Sequence, residues 1–126
     1  MEKEWDNVIV RKSFEFAVEV FEVVRELRLR GVEKELLSQL LRSGASIGAL
    51  VNEAQETQSR QSFLAKMNIA LKEAKETEYW LRLLEAAGKL PLELVEKLLK
   101  DADELNRLLV NITKSTREAL EKQNSQ

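Results

Sequence analysis

From Phe63 to Leu84 the chain places Phe63, Met67, Ala70, Ala74, Thr77, Leu81 and Leu84 at alternating spacings of four and three without a break. A helical turn holds about 3.6 residues, so only a helix brings all of these side chains to one side. A stripe this regular is the seam of a bundle or coiled coil, and it needs partner helices to cover it. Leu64, Leu71, Trp80 and Leu83 add a second apolar strip beside it. The spacing predicts a helix over 60–86, with Ser59 as its N-cap and Gly88 closing it.

Three further helices are predicted. Over 8–29, Val10, Phe14, Ala17, Phe21 and Val24 share one face, widened by Val18, Val20, Val23 and Leu27. Asp6 or Asn7 can cap its start, and Gly31 supplies the left-handed residue that ends it. Over 33–58, Leu37, Leu40, Leu41, Gly44, Ile47, Gly48, Val51 and Ala54 line one face. Over 91–120 the register is Leu94, Leu98, Ala102, Leu105, Leu109, Ile112 and Thr116, extended by Leu99 and Leu108. Pro91 suits the first turn of that helix, where its missing amide is harmless. Glu121 to Gln126 is polar and expected to fray. Connections of a few residues force neighbouring helices to run antiparallel, so the expected fold is all-α, an antiparallel up-down-up-down four-helix bundle. At 126 residues, 1–126 is a single domain.

Into the second helix the chain writes 42-RSGASIGALVNEA-54, with serine, glycine and alanine where larger helix formers are favoured. Each interior glycine costs about 1 kcal/mol relative to alanine, so Gly44 and Gly48 require a compensating contact. The apolar run is far shorter than the roughly 20 residues that span a bilayer, which excludes a membrane dimer motif. No Gly-Lys-Ser/Thr ending and no preceding strand exist to make a phosphate loop. What remains is a notch on a soluble helix, flanked by Ala45 and Ala49, that admits a neighbour's backbone or a bulky ring. Tyr79 and Trp80 of the third helix are the expected fillers, because a large flat side chain gains most from a shallow notch.

Composition narrows function mainly by exclusion. Cysteine and histidine are both absent, which removes disulfides, the usual zinc sites, thiol nucleophiles and the side chain that titrates most readily near neutrality. The net charge is −2 and the pI about 5.4, so no bulk positive field attracts nucleic acid or anionic membrane, and any such partner must meet a local patch. Residues 1 to 12 lack the apolar core and cleavage site of a secretory signal, and the expected location is the cytoplasm.

The stretch 42-RSGASIGALVNEA-54 together with 63-FLAKMNIALKEAKETEYWLRLL-84 resembles the small bacterial four-helix bundle proteins that include those encoded in ribosomal RNA intervening sequences. The accessory proteins of diversity-generating retroelements share that architecture. The resemblance covers most of the chain and is strongest from Leu37 to Leu84. In this family the second helix reads like S-I-G-A-N-I-x-E-A, which Ser46, Ile47, Gly48, Ala49, Glu53 and Ala54 match. Leu50 departs from it, standing where the family has asparagine, and Ser62 stands where an acid is common. The resemblance implies a ring-shaped homo-oligomer, commonly a pentamer, without enzymatic activity or cofactor. In the retroelement branch it implies nucleic-acid and reverse-transcriptase partners.

Arg25, Arg28, Arg30 and Lys34 form the densest run of positive charge and the candidate phosphate contact. The alternative is structural, since cations near a helix C-terminus oppose the helix dipole without any ligand. Acidic Glu22, Glu26, Glu33 and Glu35 lie close by and dilute the field. Arg60, Lys66, Lys72 and Lys75 are a looser set, interrupted by Glu73 and Glu76, and read as a solvated face. Glu53 with Glu56 and Glu73 with Glu76 are carboxylate pairs at i,i+3. Di-metal bundles add a Glu-x-x-His that a chain without histidine cannot supply, so salt bridges to Arg42, Lys72 or Lys75 are their expected use. Ser43, Ser46 and Thr77 lack a base and read as packing residues with locally satisfied hydroxyls.

The first, third and fourth helices each carry more apolar surface than one inward stripe needs. Such excess marks interaction sites, and self-association is its simplest outlet. A face on one helix that meets a different face on a neighbour generates a closed ring when the rotation permits. Three readings of function follow: a non-catalytic homo-oligomeric scaffold for RNA, DNA or a nucleic-acid-processing partner; a purely structural or protein-protein adaptor assembly without nucleic acid; and a carboxylate metalloenzyme, which would carry bound metal after purification without chelator.

Overall fold

The computed structural model describes residues 4–88 and 92–125. Four helices follow one another: α1 (Glu4–Leu29), α2 (Lys34–Ala54), α3 (Arg60–Ala87) and α4 (Leu92–Asn124). Each packs on its neighbours in the chain, and α4 returns to α1 along the loosest of the four seams. The helices therefore stand in the order α1-α2-α3-α4 around a single core, with neighbours antiparallel, as the short connections demand. Among the described residues there is no strand, and no helix is long and apolar enough to cross a membrane.

The helix ends follow local chemistry. Gly31 and Gly88 take positive φ, 80° and 70°, the left-handed geometry expected after α1 and α3. Ser59 caps α3, its Oγ accepting the Ser62 N–H at 3.1 Å. The two hydroxyls are themselves 2.9 Å apart, so Ser62 joins the cap without an acid. Asp6 and Asn7 fall inside α1, which begins at Glu4, and so do not precede the helix as caps must. α2 stops at Ala54, four residues short of the expected end. There the Thr57 hydroxyl donates to the Ala54 carbonyl at 2.7 Å and tight turns take over from Asn52 onward. α4 continues to Asn124, past the expected end at Leu120. Pro91, expected in its first turn, lies outside the described residues.

The core confirms the faces of α2, α3 and α4. Leu37, Leu40, Ile47 and Val51 of α2 meet Met67, Ala70, Ala74, Leu81 and Leu84 of α3 and Val95, Leu98, Ala102, Leu105 and Leu109 of α4, all buried. Full burial of a leucine or isoleucine side chain contributes about 1.5–3 kcal/mol, so this shared interior dominates the stability of the fold.

α1 departs from expectation. Its core stripe is Ile9, Ser13, Phe16, Val20, Val23, Val24 and Leu27, so Val24 of the expected face and Val20, Val23 and Leu27 of its margin are buried as expected, whereas Val10, Phe14, Ala17, Val18 and Phe21 lie outside that stripe. Phe14 is 67% exposed and Phe21 53%. Helix α1 thus carries two apolar stripes, and the one with two phenylalanines faces out.

Candidate functional site

The glycine notch decides how α1 lies on α2. A Cβ on Gly44 would sit 3.0 Å from both Val20 methyls, and one on Gly48 would sit 3.1 Å from the Ser13 backbone carbonyl oxygen. At these two positions α1 comes so close that even a methyl group would force its neighbour aside by a few tenths of an ångström, which answers why the helix tolerates glycine. Tyr79 and Trp80 do not fill the notch. The glycines look toward α1, whereas α3 lies on the other flank of α2, where Ser43 and Arg42 face it.

On that flank a buried hydroxyl pair joins the helices. Thr77 Oγ1 donates to Ser43 Oγ at 2.9 Å, and Ser43 donates to the Leu40 carbonyl at 3.3 Å. Ser46 donates to the Arg42 carbonyl at 2.7 Å. These hydroxyls are satisfied locally, as packing residues require. Leu50, in the place of the family's asparagine, is half-buried against the core, so an apolar side chain there adds packing.

Three of the four paired carboxylates, Glu53, Glu73 and Glu76, are engaged by cations, and Glu56 makes no ion pair among the described residues. Arg42 holds Glu73 at 3.2 Å and also Glu76, and Lys66 reaches Glu53 at 2.9 Å. Lys72 and Lys75, the other expected partners, make no ion pair with a described residue. Glu76 also accepts the Trp80 indole N–H at 3.2 Å, and the Tyr79 ring stands edge-on to Trp80 at 5.1 Å. That leaves Tyr79, 59% exposed, standing out from α3.

The basic candidates occupy one end of the bundle, around the α1–α2 connection. Arg30 is committed to Glu26, at 3.1 Å and 3.0 Å. Arg25 lies over the Phe21 ring at 5.9 Å, so its guanidinium continues the exposed phenylalanine stripe. Arg28 sits in the last turn of α1, where the helix dipole accounts for a cation. Lys34 opens α2, where the dipole disfavours one. The structure therefore divides the group: Arg25, Arg28 and Lys34 carry exposed charge without an ion pair among the described residues, and Arg30 does not.

Two features escaped the sequence. A shallow groove of about 460 Å³ runs between α1 and α2, walled by Val10, Phe14 and Ala17 on one side and Ala45, Gly48 and Ala49 on the other. It is the outward mouth of the notch. On the α1–α4 seam, a smaller cavity of about 150 Å³ is lined by Lys12, Glu19, Lys97, Asp101 and Glu104. Lys97 bridges Glu19 at 2.6 Å and Asp101 at 3.2 Å, and Lys12 pairs with Glu104. Glu19 Oε2 is buried without a hydrogen-bond partner among the described residues. Burial, reinforced by the neighbouring Asp101 and only partly opposed by Lys97, raises the Glu19 pKa above the ordinary carboxylate value.

With that geometry in place, comparison with known proteins fixes the family. A model of the 23S rRNA-intervening sequence protein family matches residues 5–111. The chain belongs to that family. A solved structure from Bacteroides thetaiotaomicron, described as a protein of unknown function from the S23 ribosomal protein family, is 46% identical. The match covers 87% of this chain and 98% of that one, with a TM-score of 0.83. No curated protein matches the chain. Membership agrees with the resemblance carried by 42-RSGASIGALVNEA-54 and 63-FLAKMNIALKEAKETEYWLRLL-84, and with the four-helix fold.

Proposed function

We propose that this family member is a non-enzymatic, cytoplasmic building block that self-associates into a homo-oligomeric scaffold, a ring of the pentameric kind its resemblance implies, and that the assembly contacts RNA, DNA or a nucleic-acid-processing protein such as a reverse transcriptase. The observation that carries it is the exposed phenylalanine stripe of α1, Phe14 and Phe21 with Val18 between them. A folded monomer gains nothing from holding that surface in water, and apolar patches of this kind serve as interfaces. Arg25, Arg28 and Lys34 supply the phosphate contact. One such cluster is weak on a chain of net charge −2, but a ring repeats it once per subunit, so contacts add and counterions are released together.

Binding of labelled single-stranded RNA and duplex DNA, titrated against salt, tests the nucleic-acid part. Binding that weakens steeply with salt and disappears in Arg25→Glu/Arg28→Glu/Lys34→Glu supports it; no binding at low salt removes it. A second reading, a protein-protein adaptor without nucleic acid, is favoured by the pairing of Arg30 with Glu26 and by the acidic balance of the chain. It predicts that the same variant leaves partner capture unchanged.

A further inference from the structure

The self-association just proposed leaves open which surfaces meet, and the bundle presents two that match. One is the outward stripe of α1, Phe14, Val18 and Phe21, beside the groove floored by Gly48. The other is on α3, where Ile69, Tyr79 and Leu83 are exposed. Ile69, Glu76 and Leu83 recur every seven residues and so share one flank of α3, and Glu76 is bound to Arg42 of α2, which turns that flank toward the α2 side. The first surface therefore opens on the α1–α2 side of the bundle and the second on the α2–α3 side. These sides are adjacent rather than opposite, so a contact between them turns each successive copy and can close a ring.

Height and charge agree with this pairing. Gly44 of α2 touches Val20 on one flank while its neighbour Ser43 bonds Thr77 on the other, so Val20 and Thr77 lie at the same level. Helices α1 and α3 run in the same direction. A rotation about an axis along the bundle preserves both height and direction, and it brings Tyr79 to the level of Phe21 and Glu22, and Lys72 to the level of Glu15. Lys75 comes between Glu15 and Glu22, about 6 Å of rise from Glu22 and within reach of a lysine side chain. Glu15 and Glu22 lie on the flank of α1 away from the groove and Lys75 on the matching flank of α3, while Lys72, seven residues before Tyr79, stands within the α3 stripe at the level of Glu15. Glu22, Lys72 and Lys75 make no ion pair among the described residues of one chain, and Glu15 has only a long 3.7 Å contact with Arg11.

We propose that copies of this chain assemble head to tail, the α3 stripe of one (Ile69, Tyr79, Leu83) packing against the α1 stripe of the next (Phe14, Val18, Phe21), with Lys72 and Lys75 facing Glu15 and Glu22. The interface is heterologous, and that property gives its test. Phe14→Asp/Phe21→Asp disables one surface and Tyr79→Asp/Leu83→Asp the other, all at positions exposed in the single chain. Solution mass by light scattering, with helix content checked by circular dichroism, is expected to show each folded variant alone as a monomer and the mixture as a one-to-one heterodimer capped at both ends. A Tyr79→Asp/Leu83→Asp variant that keeps the wild-type mass overturns the proposed surfaces while leaving self-association standing, and so does a mixture that stays monomeric far above the concentration at which the wild type assembles. Wild type that is itself monomeric removes self-association altogether. In a second arm, Glu15→Lys/Glu22→Lys is expected to weaken assembly at least tenfold and addition of Lys72→Glu/Lys75→Glu to restore it; failure of restoration overturns the charge pairing.

Discussion

Helix α1 carries two stripes that obey the same spacing and meet opposite fates. Ile9, Ser13, Phe16, Val20, Val23 and Leu27 are buried, while Val10, Phe14, Ala17 and Phe21 line the outer groove or stand in water. The outer stripe holds two phenylalanines and the inner one Phe16 beside a serine, so both are apolar and hydrophobicity alone does not choose between them. What selects the inner stripe is shape. Gly44 and Gly48 bring α1 within van der Waals contact of α2, and only a stripe with a small residue at Ser13 and a short, branched one at Val20 fits that approach. The inner stripe holds the fold, and the outer stripe is free to serve assembly.

Substitutions separate the two roles. The largest effect is expected at Phe16, where Phe16→Ala removes a buried ring and leaves a cavity beside the α1–α4 seam. Chemical denaturation should show a loss of about 3–5 kcal/mol. Gly48→Leu should follow with about 1–3 kcal/mol, because its side chain meets the Ser13 backbone, which cannot step aside as a rotamer can. Thr77→Val keeps the volume but strips the buried hydroxyl pair, leaving Ser43 without its α3 partner, at a cost of about 1–2 kcal/mol. On the outer stripe, Phe14→Asp should change the unfolding free energy of the single chain by no more than about 0.5 kcal/mol. Equal losses at Phe14 and Phe16 would erase the distinction between the stripes.

The smallest effect concerns the α1–α4 seam and pH. The Glu19 pKa is raised in the fold, so between the ordinary carboxylate range and the raised value the folded chain holds a proton that the unfolded chain has released. Its contribution to stability is therefore fully present below the ordinary carboxylate range and lost as pH rises through the raised value. Urea midpoints between pH 4 and 7 should show this component in the wild type and not in Glu19→Gln. A component of opposite sign would mean that Lys97 dominates the site.

Helix α3 was legible in full, from the Ser59 cap to Gly88, because its seam is unbroken and its one competing strip is shorter. The α2 glycines announced a close approach, but not which neighbour made it. Spacing four apart places Gly44 and Gly48 on a shared side of α2 without saying whether α1 or α3 lies there, and the aromatic rings of α3 were the wrong candidates. The small Ser13 opposite a glycine was the signal for α1, since close approach needs small residues on both sides. Among the basic residues, the Arg30–Glu26 pairing is an i,i+4 contact and readable from spacing. The Glu19–Lys97–Asp101 site joins residues 78 apart in sequence, and no local pattern announces it.

The most direct measurement is the solution mass of the wild-type chain beside Phe14→Asp/Phe21→Asp, with helix content recorded for both. The account predicts a wild type at a multiple of 14.5 kDa and a variant of the same helicity at the single-chain mass. A wild type that remains at the single-chain mass at every concentration, or a variant that assembles as fully as the wild type, would contradict it.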